Sequence, residues 1–348
     1  LALGTGVANG ATQAEVQQSS GAFTVRAEID AYIELVLTRE DDASKTITKP
    51  AITANGTAQA VTLSASDIAT LGNGNILVSA KATDKAGNVS DAGTTSFVLD
   101  TLNPVVNTVT DNVTATPDIT RSPITFEVTF SEPLSASLIS SNFEAVNGTL
   151  GAIEKVSNTV YRVGVTPATG LNGADAASDV YLKLKANGIT DVAGNPLSDL
   201  DLSSKDVQRA DTLAPSVASV TDNITSDVTS GNVVFTVTFS EALNHAPAES
   251  NFSVSNGTIL SGSVTRVSDT VYKVTAKPNS GVTGADMVLG LVAGDLTDVV
   301  GNPIVSVTDL SGLGGVQKVD TVAPVVTTFT PVDKSENPAV VDELPPVG

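Results

Sequence analysis

Cysteine and tryptophan are absent from the 348 residues, and histidine and methionine occur once each. Without cysteine there is no disulfide, so burial or bound metal must hold the fold. Aromatic residues make up only 4% of the chain, too few to furnish a sugar-stacking cleft. Cations are scarce as well: 18 Lys and Arg stand against 38 Asp and Glu, a net charge of −20. Such a surface repels phosphate, which argues against nucleic acid and anionic lipid as partners and favours cations. No apolar run approaches the ~20 residues of a membrane helix, so no membrane insertion is expected. The start at Leu1 shows neither an initiator Met nor a signal peptide, so the sequence reads as a segment of something longer.

Catalytic signatures are equally sparse. The single imidazole, His245, lies beside Glu241 in a loop with Asn244 and Pro247, and no serine sits in a Gly-x-Ser-x-Gly elbow. Gly312-Leu313-Gly314-Gly315 lacks the Lys and following helix of a phosphate loop and reads as a flexible turn. The chain is therefore expected not to be an enzyme.

What is present is repetition. Asp-Thr-(Leu or Val)-x-Pro occurs at Asp100, Asp211 and Asp320, about 110 residues apart, the mark of a tandem array. Val128-Thr129-Phe130-Ser131-Glu132 returns as Val237-Thr238-Phe239-Ser240-Glu241, and Asn147-Gly148-Thr149 as Asn256-Gly257-Thr258. Thr190-Asp191-Val192 with Gly194-Asn195-Pro196 returns as Thr297-Asp298-Val299 with Gly301-Asn302-Pro303. Residues 102–212 and 213–321 are sister modules. Residues 1–101 share only the exit, Thr83-Asp84-Lys85-Ala86-Gly87-Asn88 with Asp100, and form a distinct subtype. Residues 322–348 repeat the opening of a module, with Pro324, Val325, Val326 and Phe329. Pro331, Pro338, Pro345 and Pro346 then interrupt it, so this stretch reads as the start of a further module or a linker.

The local pattern is that of strands. Ile124, Phe126, Val128 and Phe130 alternate with Thr125, Glu127 and Thr129, and Phe235, Val237 and Phe239 repeat that face. Asn-Gly pairs at 55, 147 and 256 mark tight turns. Helical spacing hardly appears beyond short turns at 66–71 or 135–139. About seven short strands in some 110 residues predict an all-β chain of immunoglobulin-like β-sandwich modules arranged end to end. In the second module, strands are expected near 105–110, 124–130, 142–146, 149–154, 160–165, 180–185 and before Ala210. Alternating directions then return the loop after the second strand and the loop after the sixth to the end where the module begins.

That topology gathers acids. Glu132, Asp191 and Asn195 converge with Asp100 at the first junction, and Glu241, Asp298 and Asn302 with Asp211 at the second. Glu28, Asp30, Asp84 and Asn88 form a similar set at the free end of the first module, and Asp320 belongs to a site completed by the next module of the array. Three carboxylates with an amide oxygen are hard ligands suited to Ca²⁺. Without a cation they repel one another. Asp-x-x-Gly-Asn is also ordinary turn chemistry, so solvated turns stand as the alternative. The Thr-Asp-Asn strings at Asp111 and Asp222 fall at the far end of the first strand and carry less weight.

At this point the sequence resembles a family. Thr-Asp-x-Ala-Gly-Asn followed by a strand and Asp-Thr-x-x-Pro, as at Asp84 and Asp100, resembles the bacterial Ig-like tandem repeats of large surface and biofilm adhesins exported by type I secretion. Phe-Ser-Glu-(Pro or Ala)-Leu and Asp-Val-x-Gly-Asn-Pro resemble the Ig-like type also found in S-layer and cell-wall proteins. The resemblance implies an extracellular location at a bacterial surface and Ca²⁺ at the linkers, with Asp100, Asp211 and Asp320 as ligand positions. Asn103 departs from the Ala found at 214 and 323, so the first junction is expected to differ in detail.

Two functions are compatible with these features. The first is a structural extender, a monomeric rod whose partners are its own adjacent modules, stiffened by Ca²⁺, with a host or surface receptor engaged through other regions of the protein. The second makes one module a ligand-binding domain for a glycan or a protein receptor. A module-specific insertion or exposed aromatic cluster would favour the second, whereas the sister modules match to within a few residues.

Overall fold

A computed structural model describes residues 1–328. The expected continuation at 329–348, including Phe329, lies outside the described residues. The chain divides into two compact units, residues 1–213 and residues 214 onward. Among the described residues there are three separate hydrophobic cores, two in the first unit and one in the second.

The first core lies between a small sheet of β1 (Ala2–Leu3), β2 (Phe23–Val25) and β5 (Gln59–Val61) and a larger one. The larger sheet is ordered β4 (Asp42–Thr53), β3 (Tyr32–Arg39), β6 (Gly74–Thr83) and β7 (Gly93–Leu99). Strict alternation sends Ile33, Leu35 and Leu37 of β3 inward, each at most 1% exposed. Two short helices, α1 (Gln13–Gln17) and α2 (Ala65–Leu71), accompany these sheets. Both start with a capping box: Thr12 with Glu15, and Ser64 with Asp67. The turn expected at 66–71 is the second helix. The one expected at 135–139 is a bend followed by a 3₁₀ turn over Ser140–Asn142.

The second core is a two-sheet sandwich. One sheet is ordered β12 (Gly148–Lys155), β13 (Val160–Pro167), β10 (Ile124–Phe130) and β8 (Val106–Thr110). The other is ordered β11 (Phe143–Val146), β14 (Asp179–Leu184), β16 (Gln208–Ala210) and β9 (Ile119–Thr120), with β15 (Leu200–Asp201) against β14. The seven expected strands all appear within a few residues of their expected bounds. β9 and β15, two residues each, are additions that the sequence pattern does not predict. Ile124, Phe126 and Val128 are fully buried, and Phe130 meets Tyr161 edge to face with centroids 5.9 Å apart.

The second unit repeats this plan. β17 (Val217–Asp222), β19 (Val233–Phe239), β23 (Val271–Pro278) and β21 (Gly257–Ile259) form one sheet, with β22 (Thr265–Arg266) also on β23. β18 (Val228–Thr229), β25 (Val316–Val319), β24 (Ala285–Leu291) and β20 (Phe252–Val254) form the other. Phe239 and Tyr272 reproduce the aromatic pair at 5.9 Å. In both sandwiches a short strand pairs in parallel with the last one, β9 with β16 and β18 with β25. A buried glutamine secures each pairing. Gln208 donates to the Asp118 carbonyl, and Gln317 to those of Ser226 and Asp227.

These strand directions bring the loop after β10 and the long segment between β14 and β16 to the end where β8 begins. That end meets residues 98–105 of the same unit.

Candidate metal centre

The site is built on the Asp191-Val192-Ala193-Gly194-Asn195 turn in the β14–β16 segment. Asp191 Oδ1 accepts hydrogen bonds from the backbone N–H of Gly194 (2.6 Å) and of Asn195 (2.9 Å). The Asn195 side-chain nitrogen donates to Asp191 Oδ2 at 2.8 Å. Gly194 has φ +113°, which an L side chain rarely adopts, so glycine is required at this corner. Within the turn Asp191 and Asn195 are buried, 1% and 6% exposed, while Val192 and Gly194 face solvent.

Two further carboxylates reach this turn. Glu132 arrives on the loop after β10, Asp100 on the segment after β7, and ligand oxygens of Asp100, Glu132 and Asp191 all lie within 4.8 Å of one another. Among the described residues none of the three pairs with Lys or Arg. Like-charge pairs at this spacing cost on the order of 1–3 kcal/mol each, less where water screens them. The Glu132 carboxyl is pushed above its ordinary range by burial first and then by the charges of Asp100 and Asp191.

The donor set fits a hard divalent cation such as Ca²⁺: three carboxylates, each with unused lone pairs, at the edge of solvent. An amide oxygen ligand is expected from Asn195 on sequence. Instead Asn195 turns its nitrogen to Asp191 and to the Asp100 carbonyl oxygen (3.0 Å). It acts as a clamp between the turn and the segment carrying Asp100, because two acceptors face it and only the N–H₂ end can satisfy them.

Two residues that the sequence pattern does not single out complete this junction. The Asn9 side chain donates to the Val192 carbonyl at 3.3 Å. Gly10, at φ +117°, lets Ala193 approach so closely that a Cβ there would lie 3.0 Å from the Ala193 methyl. The signal for them is the Asn-Gly pair at 9 and 10.

The remaining expected residues divide. Glu28, Asp30 and Asp84 do not form a comparable carboxylate group. Glu28 and Asp30 are exposed, and Lys85 pairs with Asp30 at 2.6 Å. Glu28 and Asp84 line an open cleft of about 500 Å³ that Arg26 and Lys81 also line, so its acids have cations beside them. The Asp84 turn itself forms as its sister does, with Asn88 donating through its side chain (2.8 Å) and backbone (2.8 Å). Those bonds, with little burial to oppose them, hold the Asp84 carboxyl below its ordinary range.

Asp211, buried, sits after β16 in the first unit. Its backbone donates to the Thr120 carbonyl at 2.9 Å, and its Oδ1 accepts from the N–H of Leu213 at 3.2 Å. In the second unit Asp298 accepts from the N–H of Val300 (2.9 Å) and of Asn302 (2.8 Å) and from the Asn302 side chain (2.7 Å). Asn302 therefore also presents its nitrogen to the aspartate of its turn. Asp298 is fully buried, and Glu241 follows β19 as Glu132 follows β10. Asp320 caps its own turn by accepting from the N–H of Val322 at 3.0 Å, and the segment expected to complete its site lies beyond residue 328. Asp111 and Asp222 cap turns through the N–H of Val113 and Ile224. Beside Asp111, Asp206 has its carboxyl raised to about 6 by burial and then by the Asp111 charge.

Among the described residues, no helix is long and apolar enough to cross a membrane. Solved structures similar to the chain include a 1.5-MDa bacterial ice-binding adhesin at 20% identity and TM-score 0.35, with 86% of this chain and 90% of that one covered. The Ca²⁺-stabilised adhesin with which an Antarctic bacterium reaches out and binds ice is similar at 21% identity and TM-score 0.31, covering 86% and 68%. Invasin, a bacterial integrin-binding protein, is similar at 14% identity and TM-score 0.30, and the match spans 86% of this chain but only 55% of that one. No curated protein matches the sequence. The model of the bacterial Ig-like domain matches residues 100–207 and again 211–316, together more than half of the chain. The chain therefore belongs to the bacterial Ig-like domain family, as two consecutive copies.

Proposed function

We propose that the chain is an extender segment of a bacterial cell-surface adhesin, a structural element and not a catalyst, whose first junction is stiffened by Ca²⁺. The observation that carries this reading is the triad of Asp100, Glu132 and Asp191. Three carboxylates from three separate segments meet within 4.8 Å with no Lys or Arg among the described residues to balance them. Asp100 belongs to the exit of one module, and Glu132 and Asp191 belong to the next. A cation held by this set ties the two modules through shared ligands and removes the repulsion that adds to burial in raising Glu132.

The tandem family modules, the net charge of −20 and the Asp-Thr-x-x-Pro strings support a repeated, soluble stalk outside the cell. The test is thermal melting with X-ray scattering in Ca²⁺ and then in EDTA. Chelation is expected to lower the melting temperature and alter the scattering. Curves that coincide in both media would remove the calcium part of this reading.

A further inference from the structure

The Asp-Thr-x-x-Pro string contains a threonine with no assigned role, and the Phe-Ser-Glu string contains such a serine. In the structure both hydroxyls grip the segment that carries the ligand aspartate. The Thr101 hydroxyl and backbone N–H both donate to Asn73 Oδ1, at 2.9 and 3.2 Å, which fixes the string to the loop before β6. Four residues on, the N–H of Val105 donates to the Ser131 hydroxyl at 3.0 Å, and the N–H of Ser131 returns to the Val105 carbonyl at 2.9 Å. Between the two grips, the N–H of Leu102 donates to Asp100 Oδ1 at 3.2 Å. Asp100 Oδ2 accepts no hydrogen bond among the described residues.

Each half of the arrangement recurs. The Thr212 hydroxyl donates to the Ala168 carbonyl at 2.7 Å and accepts from the N–H of Leu171 at 3.1 Å. The Thr321 hydroxyl donates to the Asn279 carbonyl at 2.9 Å and accepts from the N–H of Val282 at 3.0 Å. Ser240 pairs with Ser216 as Ser131 does with Val105, accepting at 3.0 Å and donating at 2.8 Å. The acceptors differ between modules, from a side-chain amide to backbone carbonyls, while the gripping hydroxyls are the same. Repetition with changed partners points to the hydroxyl's task and away from an accident of one loop.

We infer that Thr101 and Ser131 are positioning residues, a two-ended staple that sets the junction segment before any cation arrives and aims the Asp100 carboxylate at Glu132 and Asp191. A preset ligand need not be ordered on binding, so the staple raises cation affinity without touching the cation. This inference rests on the calcium reading only for its affinity effect. The staple itself is a property of the chain alone.

The test uses the full chain, whose lack of cysteine lets two introduced cysteines be labelled without background. Spin labels at Thr48→Cys on β4 and Lys155→Cys on β12 report the distance distribution between the two modules of the first unit, and calorimetry reports Ca²⁺ affinity. In EDTA, Thr101→Val and Ser131→Ala are each expected to broaden the distribution, and in Ca²⁺ to weaken binding about tenfold. Thr101→Ser, which keeps the hydroxyl, is expected to restore both. Unchanged width in EDTA together with unchanged affinity for both variants overturns the staple. If the unsubstituted chain binds no Ca²⁺, the calcium reading fails, and the EDTA distributions still decide the staple by themselves.

Discussion

Two Asp-x-Ala-Gly-Asn turns in the first unit are built alike and placed differently. At Asp84 and at Asp191 the same aspartate accepts from the same asparagine side chain, at 2.8 Å in both. Asn88 is exposed and the Asp84 carboxyl is held low by its hydrogen bonds. Asp191 is 1% exposed and has two uncompensated carboxylates beside it. The turn motif by itself is therefore local chemistry. A carboxylate group able to hold a metal arises where topology adds an acid from the preceding segment and one from the loop after β10. Where a lysine stands in the turn, as Lys85 does in place of Val192, it neutralises the neighbouring Asp30 instead.

This contrast breaks most sharply on the turn aspartates. Asp191→Ala removes three hydrogen bonds from a buried site and is expected to destabilise its sandwich by about 3 kcal/mol. It should also abolish Ca²⁺ binding at the triad. Asp84→Ala, in the exposed turn, is expected to leave Ca²⁺ binding unchanged and to shift the melting temperature far less. Calorimetric melting of the two variants side by side checks both statements.

Glu132→Gln sharpens the comparison through a change of sign. In EDTA it removes repulsion and is expected to raise stability by about 1 kcal/mol after allowance for solvent screening. In Ca²⁺ it removes a ligand and is expected to lower stability. The same sign in both media would separate Glu132 from the cation.

Acidity gives a smaller, graded effect. Glu132 and Asp206 both have raised values, Asp206 to about 6, so each contributes stability below its ordinary range that is lost as pH rises through the raised one. Melting temperature in EDTA is therefore expected to rise as pH falls from 7.5 to 5.5, by about 1 kcal/mol in stability. Asp84, with its lowered value, loses its contribution only at more acidic pH and has no part in this window. Ca²⁺ should flatten the Glu132 share. The smallest effect belongs to Lys85→Val, which copies the Val192 turn into the first module. It is expected to add no Ca²⁺ equivalent, because among the described residues no carboxylate group comparable to the triad forms at that turn.

Most of the fold was legible because alternation in Ile124–Phe130 and its sister is unbroken and buried strands leave a period of two. The two-residue strands β9 and β18 were not, since two residues carry no period. Helix α1 was not legible: Thr12 and Glu15 stand at capping-box spacing, but five residues are too few to show an apolar stripe. The triad was legible from strand order alone, which brought Asp100, Glu132 and Asp191 together across 91 residues of sequence. The orientation of Asn195 was not, because it depends on where the Asp100 carbonyl lies. The pairing of Asp30 with Lys85 was likewise hidden in a loop-to-loop contact.

The central claim is that Asp100, Glu132 and Asp191 hold Ca²⁺ at the first junction. Its most direct test is a calorimetric Ca²⁺ titration of the full chain beside its Asp100→Asn, Glu132→Gln double variant. One fewer bound equivalent in the variant is the expected result. The same number of equivalents in both chains, or no binding to either, would contradict it.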